Sequence, residues 1–233
     1  MHRKLYMTAL PGSGQDQAAD SGRISFAASC LNNEKFREKF QYRTYASGQC
    51  IREEGDGITH LGIVVSGVLK AVSYSRNGTE LCNAYFNAQD SFPEFLYLTG
   101  SRLYTYSLYV EKKARICWIP IPVLEEMLGE DPALTGGLLN YLSQQGLKNQ
   151  LYLNCLNYQT IRERVAFWIL GIQKIEEGDV VHMPGSQKIL ANMLHVSRSS
   201  LNQELRQMQR EGYFSIEKEM MYDINEELLG GLL

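Results

Sequence analysis

The stretch SQKILANMLHVSRSSLNQELRQM, residues 186–208, decides how the chain is read. Ser186 is suited to cap a helix carrying Ile189, Leu190, Met193 and Leu194 at helical spacing. Ser197 is suited to cap a second helix carrying Leu201, Leu205 and Met208. Two short helices joined by His195-Val196-Ser197 form a helix-turn-helix, the unit whose second helix enters the major groove of DNA. Ala191 is small enough for the helices to cross closely, and Val196 would fill the space between them. His195 stands where such turns usually carry glycine, which predicts a positive φ at a residue type that tolerates it.

Around the second helix, Ser199, Asn202, Gln203, Arg206 and Arg210 fall on one arc, opposite the leucines. Arginine suits guanine edges, and asparagine and glutamine suit adenine. Arg198 and the free N–H groups of the first turn suit a base or a phosphate at the point of entry. The expected DNA-contacting set is therefore His195, Ser197, Arg198, Ser199, Asn202, Gln203 and Arg206. Residues 213–217 and 220–224 alternate around Lys218-Glu219 as a hairpin, which predicts a wing. Residues 160–233 hold 8 Lys and Arg against 11 Asp and Glu, so 8 − 11 = −3, and DNA contact must come from one face.

Working toward the N-terminus, residues 159–175 read as a helix with Val165, Ile169 and Ile172 on one side, followed by a short strand over 180–183. Residues 131–158 predict a helix of roughly 42 Å. Its heptad-like seam of Leu134, Leu138, Tyr141/Leu142, Tyr152 and Cys155/Leu156 predicts pairing with a twin in a homodimer. A shorter amphipathic helix carries Val123, Leu124, Met127 and Leu128. Residues 45–120 read as short strands: alternation over 61–66 continues beyond Gly67, Arg76-Asn77-Gly78-Thr79 marks a hairpin, and 105–110 and 115–119 give two more. Phe36 and Phe40 suggest a short helix over 34–42, and residues 1–22 read as a mobile arm. The expected fold is α+β: an N-terminal β-roll over 23–130, a dimerisation helix over 131–158 and a winged helix-turn-helix over 159–233.

Five widely spaced cysteines without a CxxC or Cys/His cluster predict reduced thiols and no metal or cofactor. No stretch approaches the ~20 apolar residues of a membrane helix, so a soluble cytoplasmic protein is expected. No Ser/His/Asp order, P-loop or metal motif is present, and the chain is not expected to be an enzyme.

The ordered set YASG (45–48), IREEGD (51–56), LGIVVSGVLK (61–70), SRNGTE (75–80), DSFPE (90–94) and VSRSSL (196–201) resembles the catabolite-activator (Crp/Fnr) family of bacterial regulators over about residues 40–230. The resemblance implies a cyclic-nucleotide-binding-like jelly roll, a dimer helix and DNA-binding domains reoriented by an effector. Its cyclic-nucleotide members carry Phe-Gly-Glu and then Arg-Ser. Here Phe92 and Glu94 match, but Pro93 removes an N–H donor and Tyr104-Thr105 takes the Arg-Ser position. A phosphate without a cation is costly to bury, so cyclic AMP is not the expected effector. A non-cyclic-nucleotide branch is expected, with Tyr85, Glu94, Tyr104, Thr105, Lys148, Asn149 and Tyr152 as candidates for a small, aromatic or anionic ligand. Tyr97, Tyr106 and Gln145 stand near this set, and halophenol-responsive members offer the nearest analogy.

Members also carry Arg-Glu at the start of the recognition helix and a further Arg four residues later. Ser199 and Gln203 replace those last two, which predicts a different half-site in a palindromic operator. RNA polymerase is a plausible further partner of such a regulator. The alternatives are a constitutive regulator, or one switched by oxidation at Cys155.

Overall fold

The computed structural model describes residues 25–233 apart from Ser75 and Thr79; the arm expected over 1–22 lies outside them. Helix α1 (Phe26–Leu31) is capped by Ser25, whose hydroxyl accepts from the Ala28 N–H at 3.1 Å. The helix expected over 34–42 is only a 3-10 turn (Arg37–Lys39), because the chain is already entering strand β1 (Gln41–Tyr45). Phe36 and Phe40 are buried all the same.

Strands β2 (Cys50–Arg52), β3 (His60–Tyr74), β4 (Glu80–Phe86), β5 (Ser91–Phe92) and β6 (Ser107–Pro120) join β1 in one antiparallel sheet. Its order is β1-β6-β3-β4, with β2 on β6 and β5 on β3. The two strands expected over 105–110 and 115–119 are one strand of 14 residues, paired along β3. The intervening run 111–113 is polar because it is not buried, and the backbone pairing continues through it. Register shifts near Ser66 and Val68 bend this ribbon into a roll. Gly67 lies at the bend with φ +92, and a Cβ there would come within 2.2 Å of the Lys113 carbonyl oxygen. Gly78 takes φ +78 in the β3–β4 turn.

After the short helix α2 (Glu94–Leu98) and β6, helix α3 (Ile121–Glu130) packs Leu124 and Met127 into the roll. Helix α4 (Pro132–Cys155) is capped by Asp131 and runs roughly 36 Å in 24 residues. It stops short of the expected residue 158 because the chain turns at 156–158 to enter helix α5 (Ile161–Glu176). Thr160 and Glu163 close a capping box at that entry.

The expected dimer seam needs correction. Leu134 and Leu138 are buried in the roll's own core, and Cys155 lies in the core of the C-terminal domain. Tyr141 faces the same way, accepting a hydrogen bond from the Ser91 N–H at 3.0 Å. Helix α4 also carries exposed Leu139, Leu147 and Leu153, the last at the rim of a cleft against the C-terminal domain, with Gly146 midway between Leu139 and Leu153.

The last domain adds β7 (Val181–His182), α6 (Gln187–Met193), α7 (Arg198–Arg210), β8 (Ser215–Glu217), β9 (Met220–Tyr222) and α8 (Glu226–Gly230). Strands β7, β9 and β8 form the expected wing. Its core gathers Trp168, Leu190, Leu201, Leu205, Phe214 and Leu229.

Candidate nucleic-acid interface and ligand cleft

Ser186 caps α6 by accepting from the Ile189 N–H at 3.3 Å. Ser197 caps α7 by accepting from the Ser200 N–H at 3.0 Å. Each hydroxyl supplies an acceptor to a first-turn N–H that has no partner within its helix. Between them His195 adopts φ +54, as the glycine-like position requires. The Val196 N–H then returns to the Ala191 carbonyl at 2.9 Å, closing the turn over a buried Ala191.

Leu201, Leu205 and Met208 are buried, which turns Arg198, Ser199, Gln203 and Arg206 outward on one side, with Asn202 half-buried beside them. The back of α7 is anchored by a residue that spacing alone did not single out. Arg162 donates to Glu204 at 2.7 Å and to Glu211 at 2.7 Å. Those bonds hold both carboxylates to a guanidinium behind the helix, away from its exposed arc. Arg164 donates to the Tyr158 carbonyl at 2.9 Å and the Leu194 carbonyl at 2.8 Å, joining the α4–α5 turn to the helix-turn-helix.

A second site lies between the roll, α4 and the C-terminal domain, as an open cleft of about 1680 Å³. Six of the seven expected ligand residues line it: Tyr85, Glu94, Thr105, Lys148, Asn149 and Tyr152. Tyr104 does not. Its ring is turned into the roll's core, edge-on to Tyr106 with centroids 5.8 Å apart, and it is Tyr106 that lines the cleft instead. Tyr97 is elsewhere too, its hydroxyl bonded to Glu125.

Several lining groups were not evident from spacing. Asp90 accepts from the Asn87 N–H at 2.7 Å and from the Gln145 side chain at 3.1 Å, tying the roll to α4. Burial raises its carboxyl above the usual range. Glu94 is 5% exposed and its Oε2 has no hydrogen-bond partner. Burial, followed by the nearby Asp90 carboxylate, pushes its pKa up to about 8. The hydroxyl of Tyr106 is likewise buried without a partner. Lys148 donates to Glu176 at 2.8 Å, linking α4 to α5. Tyr85 accepts from the Asn192 side chain at 2.8 Å, so its hydroxyl joins the roll to the helix-turn-helix.

Comparison with known proteins bears on both sites. Residues 42–131 match the model of the cyclic nucleotide-binding domain, and residues 163–227 match that of the Crp-like helix-turn-helix domain. The chain belongs to the Crp/Fnr family. As a Crp/Fnr protein it is a DNA-binding transcription regulator.

Solved structures agree in fold. CprK complexed with OCPA superposes with a TM-score of 0.61 at 20% identity, over 86% of this chain and 94% of that one. A CooA mutant from Carboxydothermus hydrogenoformans gives 0.59 at 16% identity, over 87% and 93%. FixK2 from Bradyrhizobium japonicum gives 0.56 at 16% identity, over 83% and 96%. No curated protein matches the chain. Among the described residues, no helix is long and apolar enough to cross a membrane.

Proposed function

We propose that this Crp/Fnr protein acts as a homodimer on a palindromic operator and is switched by a small effector, other than cyclic AMP, held in the cleft. The observation that carries the switch is the composition of the cleft wall. Glu94 and Tyr106 of the roll, Lys148 and Tyr152 of α4, and His195 and Ser197 of the helix-turn-helix all line it. A ligand there touches sensor, linking helix and DNA-binding domain at once, so its affinity can differ between their arrangements.

Arg198, Ser199, Asn202, Gln203 and Arg206 are proposed to read the half-site, with Ser197 and His195 at the entry. Leu139, Gly146 and Leu153, seven residues apart, recur at heptad spacing and are proposed, with Leu147 beside them, to pair two copies of α4. The cyclic AMP exclusion is supported by charge. The lining ammonium groups, Lys112 and Lys148, are bound to Glu219 and Glu176, and Arg102 lies over the Tyr97 ring instead of lining the cleft. Oxidation at Cys155 loses support, because the thiol is fully buried and burial pushes its pKa up to about 12.

Selection of bound sites from random duplexes, with and without a metabolite library, tests the proposal. A palindrome with half-sites about one helical turn apart is expected, together with a metabolite that changes DNA affinity. Single half-sites would overturn the dimer, and indifference to every metabolite would favour a constitutive regulator.

A further inference from the structure

The charges around the cleft do not cancel. Its described lining carries four carboxyl groups, Asp90, Glu94, Glu176 and Glu219, and two ammonium groups, Lys112 and Lys148. Lys148 is bound to Glu176 at 2.8 Å and Lys112 to Glu219 at 2.9 Å. The exposed imidazoles of His182 and His195 belong to the opposite domain. Asp90 and Glu94 are left on the inner wall; Asp90 accepts from Asn87 and Gln145, whereas Glu94 Oε2 has no hydrogen-bond partner. The Arg52 guanidinium stacks over Trp118 at 4.4 Å and does not line the cleft.

Aromatic faces surround the carboxyl with the vacant oxygen. The Tyr106 ring lies 6.5 Å from Phe86 and 6.3 Å from Phe95, centroid to centroid, and all three rings line the cleft beside Glu94. A buried carboxyl with a vacant oxygen, a second carboxyl and several π faces attracts a cation. Ammonium N–H groups can donate to Glu94 Oε2 and to the Tyr106 hydroxyl, while the rings take the remaining positive surface. An anion would meet the Asp90 carboxyl and no uncommitted cation.

We infer that the cleft binds an organic ammonium ion with an aromatic or apolar body. The inference rests on the cleft's being the effector site, and it replaces the anionic class that Lys148 and the tyrosines suggest in sequence. Binding also moves a proton. Glu94 is faced by Asp90, by Tyr104 and Tyr106 of the roll and by Tyr141 of α4, with Lys148 about two helical turns beyond Tyr141. Without a ligand these surroundings keep it protonated at neutral pH. An ammonium at Oε2 ionises it and releases that proton to solvent.

The test uses three probes of one shape, 2-phenylethylamine, 2-phenylethanol and phenylacetate, titrated calorimetrically into the full-length protein in two buffers of different ionisation enthalpy. The amine is expected to bind roughly ten-fold or more tightly than the other two, with proton release. Glu94→Gln, close to isosteric, should weaken amine binding by a similar factor and abolish the proton release. Tyr106→Phe should weaken it less. Unchanged amine affinity in both variants overturns the assignment, and so does preference for phenylacetate or the alcohol. If one of those binds instead and shifts DNA affinity, the ammonium class fails while the effector reading stands. If none of the three binds at millimolar concentration, the ammonium class is overturned and the effector reading falls to the library screen.

Discussion

The side-chain amide of Asn192 donates to the Tyr85 hydroxyl at 2.8 Å, across the boundary between the roll and the helix-turn-helix. Around it, Lys112 binds Glu219 and the Gly185 carbonyl, and Lys188 binds Glu111. Gly185 packs so closely that a Cβ would meet Asn87 Oδ1 at 2.8 Å. These contacts hold Ser197, the N-cap of the recognition helix, against the cleft.

On the proposed reading of α7, that arrangement would compete with DNA for the helix's entry end. Each exposed bond stabilises it by roughly 0.5–1 kcal/mol, or two- to five-fold in population. Tyr85→Phe is therefore expected to raise the DNA affinity of effector-free protein about two-fold, and Tyr85→Phe with Lys112→Ala and Lys188→Ala about ten-fold. Fluorescence anisotropy with a selected operator would measure both. A loss of affinity in the triple variant would mean that these bonds support the DNA-competent state.

The carboxyl of Glu94 makes stability fall with rising pH. Its folded pKa, about 8, lies above the ordinary carboxylate value because of burial, so between about 4.5 and 8 the folded state holds a proton that the unfolded state has lost. Stability should decline by up to ~1.4 kcal/mol per pH unit across that window. Glu94→Gln should flatten the dependence and raise Tm at pH 8. Parallel profiles for the two proteins in thermal melts would contradict this.

His195 pays for the sharpness of the helix-turn-helix turn with a left-handed backbone at φ +54. That conformation costs an L-residue roughly 1–2 kcal/mol, and a β-branched side chain more. His195→Gly should stabilise the protein by up to about 1 kcal/mol in urea unfolding, and His195→Val should destabilise it by more than that. Equal stability of the two variants would argue against the strained turn.

His195 also marks how far sequence could be read. Its conformation followed from local spacing, as did the two caps and the wing, because each depends on neighbours within a few residues. The seam on α4 was misassigned for the converse reason. Apolar residues at helical spacing say that a face is buried, not what buries it, and the roll covers Leu134, Leu138 and Tyr141. In the cleft, Tyr106 and Tyr104 are two residues apart yet separate onto core and cleft, which only the fold around them decides. Asp90, Asn192 and Arg162 act through partners 42 to 107 residues away, a distance no motif spans.

The exposed arc of α7 makes the final prediction the most specific. Arg206 is exposed on the arc, whereas Arg162 sits behind the helix, bound to Glu204 and Glu211. Arg206→Ala should cost about 1–3 kcal/mol on the selected operator and relax preference at one guanine per half-site. Arg162→Ala should instead weaken binding to every sequence alike, since it frees α7 from α5 without removing a base contact. It should also lower Tm, because two carboxylates lose their partner. Competition binding against single-base operator variants separates the two outcomes. If Arg206→Ala leaves the base preference intact, reading falls to Arg198, Asn202 and Gln203 alone.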